Sequence, residues 1–138
     1  MLYSWPNNFP VQHIRIARPT DKLKEVIKFY SKGVGLDLLF SFENHQGYDG
    51  VIFGLPDLNY QLEFTCHSSG SPCPAPTKDN LLVFYLTDQQ MINKKVVTMN
   101  NLGYYPVEPE NPYWLRAGIT FEDPDGWRIV FMNHFFKS

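Results

Sequence analysis

The sequence is poor in several features that would narrow its function at once. Only two cysteines, Cys66 and Cys73, occur in 138 residues, both within a Ser/Pro-rich stretch. Their pairing is left open, and an intracellular setting would keep them reduced. Their spacing with His67 fits no tetrahedral metal motif. Basic residues form no long cluster. Lys94-Lys95 is the densest spot and the net charge is −2, so nucleic acid is not expected as a partner. No apolar run approaches the roughly 18 residues of a membrane span, and the N-terminus lacks the basic-then-apolar order of a secretory signal. A cytoplasmic protein that stays out of the membrane is therefore expected. A glycine-rich phosphate loop, a nucleophile elbow and an HExxH helix are missing too.

Aromatic residues, by contrast, are plentiful at 16%, within a hydrophobic share of 43%. Phe and Tyr at that level enlarge a core or line a pocket that holds an organic ligand by stacking and area burial. A chain of this length is enough for a single domain that buries roughly two thirds of its unfolded surface.

Met1 to Pro10 is a mixed aromatic arm for which no regular structure is expected. Val11 to Arg18 reads as a strand, with Val11, His13 and Arg15 on one face and Ile14 and Ile16 on the other. After Pro19, Thr20 or Asp21 can accept the free N–H groups of a helix start. Leu23, Val26, Ile27 and Tyr30 then form a helical apolar stripe, ended by Gly33 and Gly35. Leu36 to Glu43, Gly50 to Leu55 and Tyr60 to Thr65 read as strands, joined by turn-rich Asn44 to Asp49 and Pro56 to Asn59. Gln61, Glu63 and Thr65 share one face of the last of them. Residues 66–80 are a linker.

The pattern then restarts. Leu81 to Leu86 is a strand, and Thr87-x-x-Gln90 has the spacing of a capping box. Ile92, Val96 and Met99 stripe a second helix that stops near Gly103. Strands are expected at Tyr104 to Val107, Arg116 to Glu122 and Trp127 to Asn133. The last two are joined by Asp123-Pro124-Asp125-Gly126, which suits a tight turn. Landmarks recur at an offset of 67 or 68 positions: His13 with Leu81, Asp21 with Asp88, Gly35 with Gly103, Glu63 with Val130. The chain reads as two copies of one βαβββ unit within a single domain spanning 1–138, unit one about 10–65 and unit two about 81–134.

A doubled βαβββ unit carrying F-x-D-P-D-G before its last strand resembles the vicinal oxygen chelate superfamily, which holds glyoxalase I, extradiol dioxygenases, and fosfomycin and bleomycin resistance proteins. Phe29-Tyr30 running into Gly33-Val34-Gly35-Leu36 is similar to a second stretch of that family. The resemblance implies an α+β fold in which two tandem units curl their mixed sheets into a trough with helices outside. Ile14, Ile16, Leu62, Phe64, Leu82, Phe84, Ile129 and Phe131 would then meet the helices. His13, Arg15, Gln61, Glu63, Leu81, Val83, Tyr85, Arg128, Val130 and Met132 would line the trough.

Metal-dependent relatives carry ligands on the first and last strand of each unit, which the resemblance places at His13, Glu63, Leu81 and Val130. Leucine and valine cannot coordinate a metal. A catalytic zinc site needs three protein ligands, and a non-haem iron site two His and a carboxylate. The expected activity is therefore binding of a small aromatic or amphipathic molecule without a cofactor. A divalent metal on His13 and Glu63, serving a lyase, isomerase or dioxygenase, is the alternative. Glu63 and His13 have two readings: a structural pair with Glu63 ionised against Arg15, or a functional pair serving as acid and base or as anchors for a polar ligand. The segment Tyr104 to Arg116 is either a rigid surface loop or a lid whose Tyr113, Trp114 and Arg116 close over the ligand. The resemblance also implies a homodimer.

Overall fold

The computed structural model of the chain describes residues 11–54 and 59–134. The expectations for the arm Met1 to Pro10, for Leu55 and for the Pro56 to Leu58 part of the second connection lie outside the described residues. Two sheets form the frame. Strands β1 (Ile14–Pro19), β2 (Asp37–His45), β3 (Tyr48–Gly54) and β4 (Tyr60–His67) order as β1-β4-β3-β2. Strands β5 (Leu81–Leu86), β6 (Gly118–Glu122) and β7 (Arg128–Asn133) order as β5-β7-β6. In each sheet the first strand runs parallel to the last and the remaining pairs are antiparallel. This is the doubled α+β unit expected from the sequence.

The first helix departs from a simple stripe. It begins as α1 (Leu23–Ile27) and widens into a π-helical stretch, Lys28–Val34. The wider turn lets the neighbours Phe29 and Tyr30 both become fully buried, with Val26 and Val34. Gly35 ends it at φ 90°, a conformation that costs glycine little, and the N–H groups of Gly35 and Leu36 both reach the Tyr30 carbonyl. Thr20 Oγ1 accepts the Lys22 N–H at 2.9 Å, but Lys22 is itself the N-cap and no side chain caps the helix, so the expected Thr20 or Asp21 cap does not form. Asp21 instead accepts from the Ser71 backbone N–H.

Helix α2 (Gln89–Asn101) is capped one residue later than expected. Asp88 is extended and its Oδ1 accepts the Met91 N–H at 3.0 Å, displacing the Thr87 box. Ile92 and Met99 face inward, and Met99 Sδ presses so close to Gly33 that a Cβ there would lie 2.8 Å away. That contact joins the helices of the two units around one core, which also holds Phe53, Leu62, Phe64, Phe121, Ile129 and Phe131.

Other boundaries shift for local reasons. The Asn44 to Asp49 connection shrinks to Gln46-Gly47 because both adopt positive φ and let β2 and β3 run on. The strand expected at Tyr104 to Val107 does not form. Pro106 and Pro109 remove ladder donors, and a single bridge between Val107 and Thr120 remains. Asn111 caps a short 3₁₀ turn, Pro112–Leu115, so β6 starts at Gly118 rather than Arg116. Among the described residues no helix is long and apolar enough to cross a membrane.

The D-P-D-G turn bolts the two units together. Asp123 Oδ1 accepts the N–H groups of Asp125 and Trp127, which closes the hairpin. Its Oδ2 accepts a hydrogen bond from the Tyr30 hydroxyl at 2.7 Å and lies 3.7 Å from Arg18. The Arg18 guanidinium stacks over the Trp127 ring at 3.9 Å. Thr20 donates to Asp125 at 2.6 Å, and Lys22 donates to the Pro124 carbonyl. Burial raises the Asp123 pKa despite the lowering effect of Tyr30, the two backbone N–H groups and Arg18. Burial also drives the Tyr30 hydroxyl well above its ordinary value, with the Asp123 charge adding to it.

Candidate functional site

Strand register defines the concave face of unit one. Arg15 sits beside Gln61 and Ala17 beside Glu63 on β1 and β4, with Ile52 next across on β3 and Phe40 next on β2. A β-bulge between Leu38 and Phe40 turns Leu39 to the same side, where its Cδ1 lies 2.9 Å from where a Cβ on Gly54 would be. The Phe42 ring lies over Gly50 on this face. Arg15 donates to Gln61 Oε1 from Nε at 3.0 Å and from Nη2 at 2.8 Å. Its Nη1 is 3.7 Å from Glu63 Oε1. A compact polar network therefore sits in an apolar surface, with Leu39 40% and Phe40 58% exposed. The sequence reading singled out Arg15, Gln61 and Glu63 but missed Leu39, Phe40, Phe42 and Ile52. The alternation of β2 was the available signal, and the bulge blurs it.

Unit two presents the same face filled. Val130 and Met132 were expected to line a pocket, yet both are fully buried. A Cβ on Gly118 would meet Met132 Sδ and the Trp114 carbonyl at 2.9 Å and Val130 Cγ1 at 3.1 Å, so the 3₁₀ turn is seated directly on that face. Arg128 is held down as well, through the Glu108 carbonyl at 2.9 Å and Glu122 Oε1 at 3.2 Å. Tyr113 and Trp114 pack edge to face at 4.9 Å within this cover. Arg116 is exposed just beyond it, and Tyr85 is 56% exposed on the free edge strand β5. The segment from 104 to 116 thus covers its own unit, and the structure does not bring Tyr113, Trp114, Arg116 or Tyr85 together with Arg15 and Glu63. Ile14 and Ile16 point to the helix side as read, but remain 45% and 50% exposed because no described segment packs over them there.

The fit to a metal can be tested on the same register. Glu63 pairs with Ala17, whereas His13 lies four residues earlier on its strand, roughly 13 Å along. Leu81 pairs with Arg128, two places before Val130, and Arg15 pairs with Gln61, two places before Glu63. Arg15, not His13, therefore stands level with Leu81. The positions that carry ligands in metal-dependent relatives hold Arg15, Glu63, Leu81 and Val130, and this set does not fit a metal. Among the described residues no group of three or more His, Cys, Asp or Glu could hold one. Cys66 and Cys73 are unpaired.

Comparison with known proteins follows this geometry. Residues 14–65 match the YycE-like N-terminal domain and residues 79–133 the YycE-like C-terminal domain. The uncharacterized protein YycE of Bacillus subtilis (strain 168) is 50% identical over 127 residues, spanning 92% of this chain and 91% of that protein. The chain belongs to the YycE family. The crystal structure of B. subtilis YycE superposes with a TM-score of 0.90 at 48% identity, covering 99% of this chain and 98% of that one. Glyoxalase I of Leishmania major shares the fold at a TM-score of 0.67 and 20% identity, over 86% of this chain and 84% of that one. So does TnmS3, an antibiotic binding protein from Streptomyces sp. CB03234, at 0.62 and 21%, over 89% of this chain and 93% of that one. This YycE-family chain therefore has the vicinal oxygen chelate fold of the glyoxalase and bleomycin resistance type.

Proposed function

We propose that the chain binds a small aromatic or amphipathic molecule on the concave face of unit one and needs no metal to do so. The observation that supports this most is the Arg15–Gln61–Glu63 network beside exposed Leu39 and Phe40, with Phe42 and the buried Ile52 next to them on the same sheet face. Apolar area supplies affinity, and a few placed polar groups fix orientation. Glu63 is only partly exposed and holds Arg15 at 3.7 Å, longer than a close ion pair, so a ligand donor can compete for its oxygens. The likeness to an antibiotic binding protein agrees with this reading at the level of fold. The proposal further takes the protein to act in the cytoplasm as a homodimer, which a sedimentation mass of one chain at working concentration would overturn.

Proflavine, a planar aromatic cation, is a suitable probe. Titration followed by its fluorescence should saturate, and Glu63→Gln should weaken it by about 1–3 kcal/mol. Unchanged affinity in that variant returns Glu63 to a purely structural role. Elemental analysis of protein purified without chelator is the second arm. One tightly held zinc, nickel, manganese or iron per chain, lost on Glu63→Ala, would replace this reading with a metal-dependent enzyme.

A further inference from the structure

The outer side of the molecule carries a second apolar depression, away from the concave face. It runs along the free edge of β5 between the two units, has a volume of about 570 Å³, and is walled by Ile16, Leu36, Leu82, Phe84 and Phe131. A smaller recess of about 40 Å³ continues it past Ile14 and Tyr60. Among the described residues neither β1 nor β5 has a strand partner on this side, and Ile14 and Ile16 are left half exposed over it. A volume of this size lies within the range of small-molecule sites.

One charge sits in its wall. Lys95 lines this groove and also the neighbouring hollow of about 400 Å³ formed with Tyr85, Thr87, Thr98 and a second cation, Lys94, which does not line the groove. Its ammonium has three donors, and its one contact among the described residues is the Val34 carbonyl at the end of the π-helical stretch. A Cβ on Gly35 would lie 2.7 Å from Nζ, and Gly35 is at φ 90°, so glycine both makes the turn and clears the space for the ammonium. No Asp or Glu lines either cavity. Arg15 on the concave face differs, because Gln61 and Glu63 already answer its guanidinium.

We propose that this groove is a second ligand site, which takes an amphipathic monocarboxylate with its chain along Ile16, Leu82 and Phe84 and its carboxylate on the Lys95 ammonium. The apolar wall accounts for the chain, and Lys95, the one cation that lines the groove, for the acid. Burial lowers the pKa of Lys95, as expected for an ammonium short of water and without a counter-ion. A bound carboxylate supplies that counter-ion. The groove itself shares no residue with the concave-face network, and only the small recess beyond it touches Gln61.

The test uses octanoate and its uncharged analogue octanamide on the wild-type protein, followed by calorimetry and by backbone amide shifts. Octanoate should bind at least about tenfold more tightly than octanamide, the advantage of a charge-assisted hydrogen bond. The largest shifts should fall on 82–86 and 34–36. Lys95→Met should reduce octanoate affinity to the octanamide level, while Lys78→Met, at an exposed lysine that lines neither cavity, should leave it unchanged. Equal affinity of acid and amide would overturn the proposal, as would shifts centred on Arg15 and Glu63 or no saturable binding by about 10 mM. The acid–amide comparison needs no variant, so it decides the matter even if Lys95→Met folds poorly.

Discussion

The two halves share one strand pattern, the second short of one strand, and differ in what lies on the hollow side of each sheet. In the first half, β4 offers Gln61 and Glu63 to an uncovered surface that includes exposed Leu39 and Phe40. In the second, the matching strand offers Arg128, Val130 and Met132, and the chain itself closes over them. The difference follows from the connections. Unit one joins its helix to β2 through Gly35 and Leu36, with no residues to spare. Unit two spends residues 102–117 between α2 and β6, and their prolines keep them out of the ladder and free to fold back. One duplicated frame thus yields a filled core face and an open candidate site.

Core truncation should separate the faces most sharply. Met132→Ala removes a fully buried side chain pinned between β6 and the 3₁₀ turn, and should cost about 2–5 kcal/mol. Phe40→Ala removes a larger side chain from the open face and should cost under about 1 kcal/mol. Urea unfolding of both variants measures this. Equal losses would mean that the face of unit one is covered in solution, and the contrast would fail.

A pair of glycines gives a finer comparison. Gly118→Ala drives a methyl against the Trp114 carbonyl and Met132, where backbone cannot swing aside, for a loss of about 1–3 kcal/mol. Gly50→Ala is nominally the closer clash, at 2.3 Å, but every atom it meets belongs to the Phe42 ring. On an open face that ring can rotate outward, so the expected loss is well under that of Gly118→Ala. The midpoints of chemical unfolding should rank accordingly, and the reverse order would place the restraint on the wrong face.

Much of this was legible in the residues, and the limits have physical causes. Alternation on β4 and β7 assigned Leu62, Phe64, Ile129 and Phe131 to the core, and all four are buried. The repeat offset correctly announced two related units, the second of which forms one strand fewer. Register was not legible, because side-chain direction fixes only parity. His13 and Arg15 share a face, yet pairing to β4 puts Arg15 at the site and leaves His13 a turn of the pleat beyond it. The burial of Val130 and Met132 depended on where a proline-rich segment comes to rest, which is a tertiary choice. The same holds for Ile14 and Ile16, whose parity pointed inward while the sheet order left their strand at an edge.

The smallest predicted effect lies at the seam, where the turn of unit two grips unit one through Asp123, Tyr30 and Arg18. Burial lifts the Asp123 carboxyl above its ordinary value. In the folded chain it therefore holds its proton at pH values where the unfolded chain has released it. That contribution is complete below the unfolded pKa of about 4 and is lost as pH rises through the folded value. Asp123→Asn has no such titration. The stability advantage of the natural chain over this variant, followed by urea unfolding from about pH 4 to 7, should consequently shrink as pH rises. An advantage that grows instead would show that Arg18 and the turn N–H groups outweigh burial. The seam would then be held by an ion pair, and the two halves would separate more readily in acid than in neutral solution.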